Sequence, residues 1–545
     1  MADAPVFTYQ TRLGLSSEQA ALLDAYAALH GRAQRSLFAA LQAGQRNLNE
    51  LKRDFMRQFG LTSRQFNALR IELEGKIDSI RQRRPEWLEE ARIRIRKARR
   101  VVKQLSERSP GSNKLHQKKR RLALLESRLA DLQRDEEAKA VRLCFGSKRL
   151  FRAQFDLQAN GYARHEDWRA DWQRERCSQF FVLGSGDETA GNQTCQASIT
   201  ESGSLRLTLR LPDALIQPSQ TKQLVIENVV FAYGQQELIV ALSCSQIISA
   251  VTKAGTPTRK RIGRAISYRF VRDDKGWLVF ASVEATALAK TSRPELGGIG
   301  LDTNADHLAL AETDRCGNLI QTRRVELNLR GKSSDQTKAL IGDAAVAAVE
   351  WARSTGKPLV IEALNFQKKK AELESVDPAR ARIISSFACA QVARHLKAAA
   401  FRAGVTVIEV NPAYTSVIGA VNHAQRRGIS VHQGAAYAIA RRGLGLREAP
   451  ARRTALVPVR NGAHVTLTVP ARNRSKHVWA QWAKISAALK AAHAAHWRSG
   501  ESKVPPAPLS PATRALGAIC PSTARFRGAN RSQHCSESVM KDVPW

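Results

Sequence analysis

At 545 residues the chain exceeds a single ordinary domain and has room for several units, each with its own core. Its 86 lysines and arginines stand against 49 acidic residues, a formal charge of +37 that points to a polyanion as partner. It has no uncharged apolar run of roughly 18 residues or more, and its start, MADAPVFTYQ, lacks the charged and apolar regions of a signal peptide; this excludes membrane-spanning and secreted classes and predicts a cytoplasmic protein.

Residues 7–15 alternate loosely, as a strand does. Ser16 and Gln19 then form a capping-box signature before a helix carrying Leu22, Leu23, Tyr26, Leu29, Leu37 and Leu41, with Gly44 as its stop. A second helix carries Leu48, Leu51, Phe55 and Phe59. After Gly60 a third starts at Thr62 and carries Phe66, Leu69, Leu73, Ile77 and Ile80. Between 81 and 120 there are 15 Lys/Arg and 4 Asp/Glu, and the loop SPGSN at 109–113 divides an antiparallel helical hairpin whose seam is Leu122, Leu125, Leu129 and Leu132. Its basic flank reads as a solvated face or as a phosphate-contacting one, and the net charge favours the second.

From about 141 to 290 the period changes to two, clearest in Leu205–Leu211 and followed by QLVIENVVFAY, ELIVALSC, AISYRFVRDD and GWLVFASVEA. Asp274-Lys275-Gly276 marks a hairpin turn between the last two strands, and HEDWRADWQRER at 165–176 reads as a helix. Short strands with turns predict a β-barrel or half-open sheet, which the N-terminal strand joins, making the helical block an insertion. After Pro294 the order is β-β-β-α-β-α-β-α, with strands GIGLDTN, HLALAET, LIQTRRVEL, LVIEAL and VTVIEVN and helices near 334–354, 379–403 and 431–443. This is the ribonuclease-H-like layout, an antiparallel meander followed by parallel α/β units. A basic amphipathic helix near 473–498 follows, and beyond 500 the Pro, Ser and Gly content predicts a disordered tail. The eight cysteines form no CxxC pair, so they read as reduced thiols and no zinc is expected.

Two acids stand out. Asp302 ends the apolar strand GIGLD, and Glu362 lies in the apolar strand PLVIEALNF; carboxylates on such strands are expensive unless partnered. Either alone is more often a strand-end or salt-bridged residue, but two of them, with a helix between, raise the expectation of a site at the strand ends. Asp306 and Glu409 are candidate supporting acids. Lys368, Lys369 and Lys370 form a basic run that reads as solvated surface or as a nucleic-acid guide, while Arg441 and Arg442 read equally as phosphate contacts and as partners of acids.

The segments GIGLDTNADHLALAETDRCGNL and PLVIEALNF resemble the first and second RuvC motifs of TnpB proteins. LCFGSKRLFRAQF, SQFFVLGSGDETAGNQTCQ, NPAYTSVIG and SVHQGAAYAIARRGLG resemble the TnpB-related accessory proteins of insertion sequences, over roughly residues 140 to 485. The resemblance, which extends to small type V CRISPR effectors, implies a multidomain α+β protein: a wedge-type β-barrel with an inserted helical recognition lobe, then a RuvC-like α/β nuclease domain. It implies a first wedge strand at 1–15, a helical recognition lobe at 16–140, the wedge barrel at 141–293 and a RuvC-like core at 294–446. A C-terminal extension with the basic helix at 447–498 and a tail at 499–545 complete the chain.

Two departures from the family's pattern are visible. His432 stands where TnpB nucleases carry their third catalytic aspartate, and a short basic loop, VIGAVNHAQRRGIS, replaces the zinc ribbon. Histidine can ligate a divalent metal, and it can equally make a capping or phosphate contact at a helix start. The resemblance therefore implies Asp302, Glu362 and His432 as catalytic ligands of Mg²⁺ or Mn²⁺, with a guide RNA and a double-stranded DNA target as partners. The expected activity is RNA-guided, Mg-dependent DNA cleavage in a bacterial cytoplasm, at the nucleoid when bound to DNA. The alternatives are a nuclease-inactive RNA-guided DNA-binding repressor and a DNA transposase.

Overall fold

The computed structural model describes residues 5–44, 47–216, 221–251, 257–285, 288–363, 389–459 and 463–498. The chain divides into two compact units, Met1–Thr286 and Ala287–Trp545. No helix among the described residues is long and apolar enough to cross a membrane.

The first unit opens with β1 (Val6–Arg12), followed by α1 (Ser17–Ala43), α2 (Leu48–Phe59), α3 (Ser63–Arg108) and α4 (Asn113–Glu137). The Ser16–Gln19 and Thr62–Gln65 capping boxes both form, satisfying amide groups that the first helical turn leaves open. Gly44 closes α1 with φ 68°, a conformation that glycine adopts without steric cost. Helices α3 and α4 make the hairpin, with Ile95 and Ala98 against Leu122, Leu125 and Leu129. Part of its basic flank is internally engaged: buried Arg84 donates to Glu136 at 3.0 Å, and Arg99 to Glu126 at 2.8 Å.

Helices α5 (Lys148–Ala153) and α6 (His165–Arg176) lead into β2 (Gln179–Val182), β3 (Cys195–Ile199), β4 (Leu205–Arg210) and β5 (Gln223–Val229). Then come α7 (Gln235–Ser243), β6 (Gln246–Val251), β7 (Pro257–Ile262), β8 (Ile266–Asp273) and β9 (Gly276–Glu284). β1 pairs antiparallel with β9, so α1–α6 are inserted between strands of one sheet, ordered β1-β9-β8-β2. β3-β4-β5 and β6-β7 form two further sheets, and none closes on itself among the described residues. The expected barrel is thus represented by open sheets. The four- and three-stranded ones share a core in which Phe180, Phe270, Leu207 and Ile226 meet Leu23 and Tyr26 of α1. The segment ELIVALSC is helix α7, not the expected strand. A short apolar run fits either state, and Gly234 at φ 80° turns the chain into a helix that buries Leu238 and Ala241.

The second unit contains β10 (Ile299–Thr303), β11 (His307–Thr313), β12 (Leu319–Glu326), α8 (Ser334–Thr355), β13 (Leu359–Glu362), α9 (Cys389–Ala403) and β14 (Val407–Val410). The sheet order is β12-β11-β10-β13-β14, antiparallel among the first three and parallel among β10, β13 and β14, which is the ribonuclease-H-like layout. α10 (Thr415–Ile418) continues through a π-helical stretch, Gly419–Ala424, into α11 (Gln425–Arg427). The short basic loop expected there is therefore helical. α12 (Val431–Gly443), the hairpin β15 (Thr454–Pro458) and β16 (His464–Thr468), and α13 (Val478–Arg498) complete the unit.

Period-two alternation divides the sheet's faces. Ile299, Leu301, Leu308, Leu310, Leu359 and Ile361 pack with Ile341, Val349 and Trp351 of α8 and with Val392 and Leu396 of α9. The intervening residues meet α12: Ala309 and Ala311 pack on Ala436 and Tyr437, and Val360 on Ile439. A Cβ on Gly300 would lie 2.0 Å from the Ala436 carbonyl oxygen, so the helix rests on strand backbone. Gly419 and Gly434 bring α12 equally close to the π-helical stretch.

The extension is tied to this core by Ile418, Ala438, Val457, Leu467, Trp482, Ile485 and Leu489. It is also tied by buried Glu448, which accepts from His423 Nε2 at 2.9 Å, Arg441 Nε at 2.7 Å and Asn422 Nδ2 at 3.1 Å. Burial pushes the Glu448 carboxyl up, but the hydrogen bond and charge of His423, with Asn422 and Arg441, outweigh it and hold the group below the usual range.

Gly300→Ala should destabilise the protein by about 1–3 kcal/mol, because the added methyl meets helix backbone that cannot rotate away; an unchanged thermal midpoint would contradict this packing. The depressed carboxyl of Glu448 stabilises the fold above the ordinary carboxylate range, and that contribution is lost as pH falls through its folded value. Glu448→Gln should therefore flatten the acid side of a stability–pH curve measured by urea unfolding.

Candidate active site

The same alternation that builds the core places the acids. Asp302 lies two residues beyond Gly300 and therefore on the α12 face of β10; Glu362 lies two beyond Val360, on the same face of β13. The parallel register Leu301↔Ile361 sets the two acids side by side at the carboxyl ends of adjacent strands, which run about 4.8 Å apart. On α12, His432, Ala436 and Ala440 follow at intervals of four and share one helix face. Ala436 and Ala440 sit over Gly300, and one turn earlier His432 reaches Asp302, with Nδ1 at 3.4 Å from Oδ2.

The Asp302 side chain is 11% exposed and that of His432 49%, so the acid is sheltered while the imidazole borders solvent. Asn304 Nδ2 donates to Asp302 Oδ2 at 3.1 Å. His307, at the start of β11, is buried; its Nδ1 lies 2.7 Å from Asp306 Oδ1, and its ring meets that of His432 edge-on at 5.1 Å. The hydrogen bond with His307 holds the Asp306 carboxyl below its usual range against the opposing effect of burial, helped by the charges of His307 and Arg324. Glu362 is half-buried and its Oε1 accepts from the hydroxyl of buried Thr415. Ser430 caps α12 in a capping box with Gln433, so His432 is not the capping side chain.

The remaining candidates fall in different places. Glu409 is half-exposed and pairs with Lys397 at 2.8 Å. Arg441 donates to Glu448 and to the Gly317 carbonyl, so it is engaged with an acid and a turn. Arg442 donates to the Asn411 carbonyl; burial lowers its pKa, opposed by the charges of Glu362 and Glu448, which places it near the site. Lys368, Lys369 and Lys370 lie outside the described residues. Sequence reasoning missed Asn304, His307 and Thr415. The Asp302-x-Asn304 spacing was a usable signal for the first, but nothing local marked the other two.

Among the described residues no three His, Cys, Asp or Glu side chains converge into a ready-made metal site: Asp302 and His432 meet, whereas Glu362 is turned to Thr415. Two hard carboxylates on neighbouring strands nevertheless fit Mg²⁺ or Mn²⁺, since Mg²⁺ retains several waters and is commonly held by one or two carboxylates together with substrate phosphates.

No family model matches the chain, and no curated protein does. Among solved structures it is similar to "Thermus thermophilus RuvC structure", with 16% identity and TM-score 0.19, over 26% of this chain and 89% of that one. The T. thermophilus RuvC in complex with a Holliday junction substrate is similar at 18% identity and TM-score 0.19, over 26% and 90%. A cryo-EM structure of a CRISPR-Cas12f ternary complex matches at 10% identity and TM-score 0.19, over 80% of this chain and 98% of that one.

Proposed function

We propose that this chain is an RNA-guided, Mg²⁺- or Mn²⁺-dependent DNA endonuclease whose RuvC-type site is built on Asp302 and Glu362. The observation that carries the reading is their placement side by side at the carboxyl ends of β10 and β13, under the start of α12, in a sheet of ribonuclease-H-like order. The charge of +37 supports a nucleic-acid substrate and a bound RNA, and the motif resemblance supports guidance by that RNA. The helices inserted between β1 and β2, with the open sheets of the first unit as a wedge, are assigned to the RNA scaffold and the heteroduplex.

Asp302 and Glu362 would hold the divalent cation, which when bound neutralises phosphoryl charge and lowers the pKa of a bound water. Asn304 and His432 hold Asp302 in place, while Glu362 would turn from the Thr415 hydroxyl to share the cation. His432 borders solvent beside Asp302 and is assigned to the scissile phosphate, where its imidazole completes the ligand set or moves a proton. Hydrolysis would leave a 5′-phosphate end.

A second reading, a DNA-occupying repressor that does not cut, is favoured by two observations: the third position is a histidine, and Glu362 is turned to Thr415.

The purified protein should carry one enriched structured RNA, identified by sequencing; recovery of only random fragments would remove the guide from the proposal. With that RNA and a matched target, Asp302→Ala and Glu362→Ala should abolish Mg²⁺-dependent cutting while binding stays within a few fold, and undiminished cutting by either would sink the site assignment. His432→Ala should also abolish cutting and His432→Asp should keep or raise it. A wild type that never cuts, beside an Asp variant that does, would establish the repressor reading.

A further inference from the structure

The second unit holds a cavity of about 240 Å³ that the proposed chemistry does not use, and one of its walls is Arg442, which lies within electrostatic reach of Glu362. Its walls include Arg442, Arg447, His477 and Trp479, and Trp482 is among its lining residues. Trp482 is fully buried and its Nε1 donates to the Glu448 carbonyl, so it is structural. Trp479 is different: the large apolar ring is 38% exposed although it stands in a formed cavity. Tyr414 and His477 pack against it at 71° and 79° between ring planes, with centroids at 6.3 Å and 5.6 Å. Neither neighbour stacks on it in parallel, the arrangement that an entering base would make.

The charges select the occupant. Glu448 lines the cavity, but His423 and Arg441 hold its carboxylate, which leaves Arg442 and exposed Arg447 to set the sign of the field. The approach along residues 471–477 is exposed and carries Arg472, Arg474 and Lys476. Position sets the rest: Tyr414 precedes Thr415, which donates to Glu362, and Arg442 is within the electrostatic reach of Glu362.

We propose that this cavity receives an unstacked base of single-stranded DNA next to the scissile phosphate, with Trp479 as the stacking face and Arg447 on the neighbouring backbone phosphate. An aromatic platform in a basic groove is the general means of holding a single strand without regard to sequence. A base held there anchors the strand beside the carboxylates. Its place next to the scissile phosphate rests on the nuclease reading; the base site itself does not.

The test uses the full chain in EDTA, so that no strand is cut, at a salt concentration that suppresses nonspecific phosphate binding. A fluorescein-labelled oligothymidylate is titrated, and the same oligomer carrying 5-iodouracil is photo-crosslinked and mapped by mass spectrometry. Crosslinks are expected at Trp479 or Tyr414. Trp479→Ala should weaken binding roughly 5- to 150-fold, Trp479→Phe should retain most of it, and Arg447→Gln should lower the salt slope by about 0.7. Crosslinks confined to other regions, or equal affinity of Trp479→Ala and wild type, would overturn the proposal; so would equal losses from Ala and Phe. A protein that binds in this way but never cuts would refute only the nuclease reading.

Discussion

The second unit is organised by the contact of α12 with the sheet, made at a distance only glycine and alanine permit. Gly300 lies under Ala436 and Ala440, and Gly443 meets Val360 closely enough that a Cβ there would lie 2.6 Å from it. On its other side α12 touches the π-helical stretch through Gly434 and Gly419. With so little side chain in between, sliding or rotation of the helix would bring backbone into collision. Everything attached to α12 is therefore fixed in place: His432 at its start, and Arg441 and Arg442 in its last turn.

The two ends of this layer hold their acids differently. At the end away from the acids, Lys357 donates to Glu312 at 2.7 Å in a buried pair, with the Thr313 carbonyl and Gln321 completing the hydrogen bonds. Such a pair is tolerable when each charge is paired and each polar atom satisfied. At the other end, Asn304 donates to Asp302 and the half-exposed His432 lies beside it, while Thr415 donates to Glu362, on which Arg442 acts electrostatically. Both acids are held in position at the strand ends.

The first unit follows a different logic. Its sheets are ordinary alternating antiparallel strands, and the first half of α3 packs Phe66, Leu69, Leu73 and Ile77 on α1 and α2, while the far part of α3 and α4 bury only a narrow seam. That hairpin, with so little apolar contact, derives much of its helicity from local propensity and i,i+4 pairs such as Arg94–Glu90. It carries many lysines and arginines at small cost in core volume.

The sequence by itself determined the helical hairpin, the capping boxes at Ser16 and Thr62, the Asp274–Gly276 turn and the β-β-β-α-β-α-β-α order of the second unit, because each is written in local periodicity and turn chemistry. It also marked Asp302 and Glu362, since a carboxylate on an apolar strand stands out in one dimension. Local pattern could not separate helix from strand in ELIVALSC, where a run of apolar residues fits both, nor show that the stretch after Tyr414 is helical, nor close the sheets into a barrel. Only the tertiary structure decided that His432 meets Asp302, that Arg441 answers Glu448, that Thr415 holds Glu362 and that Trp479 lines a cavity. Each of these joins residues from separate elements, and the first depends on how closely α12 can approach the sheet, a distance set by glycines whose role is visible only once the two backbones are brought together.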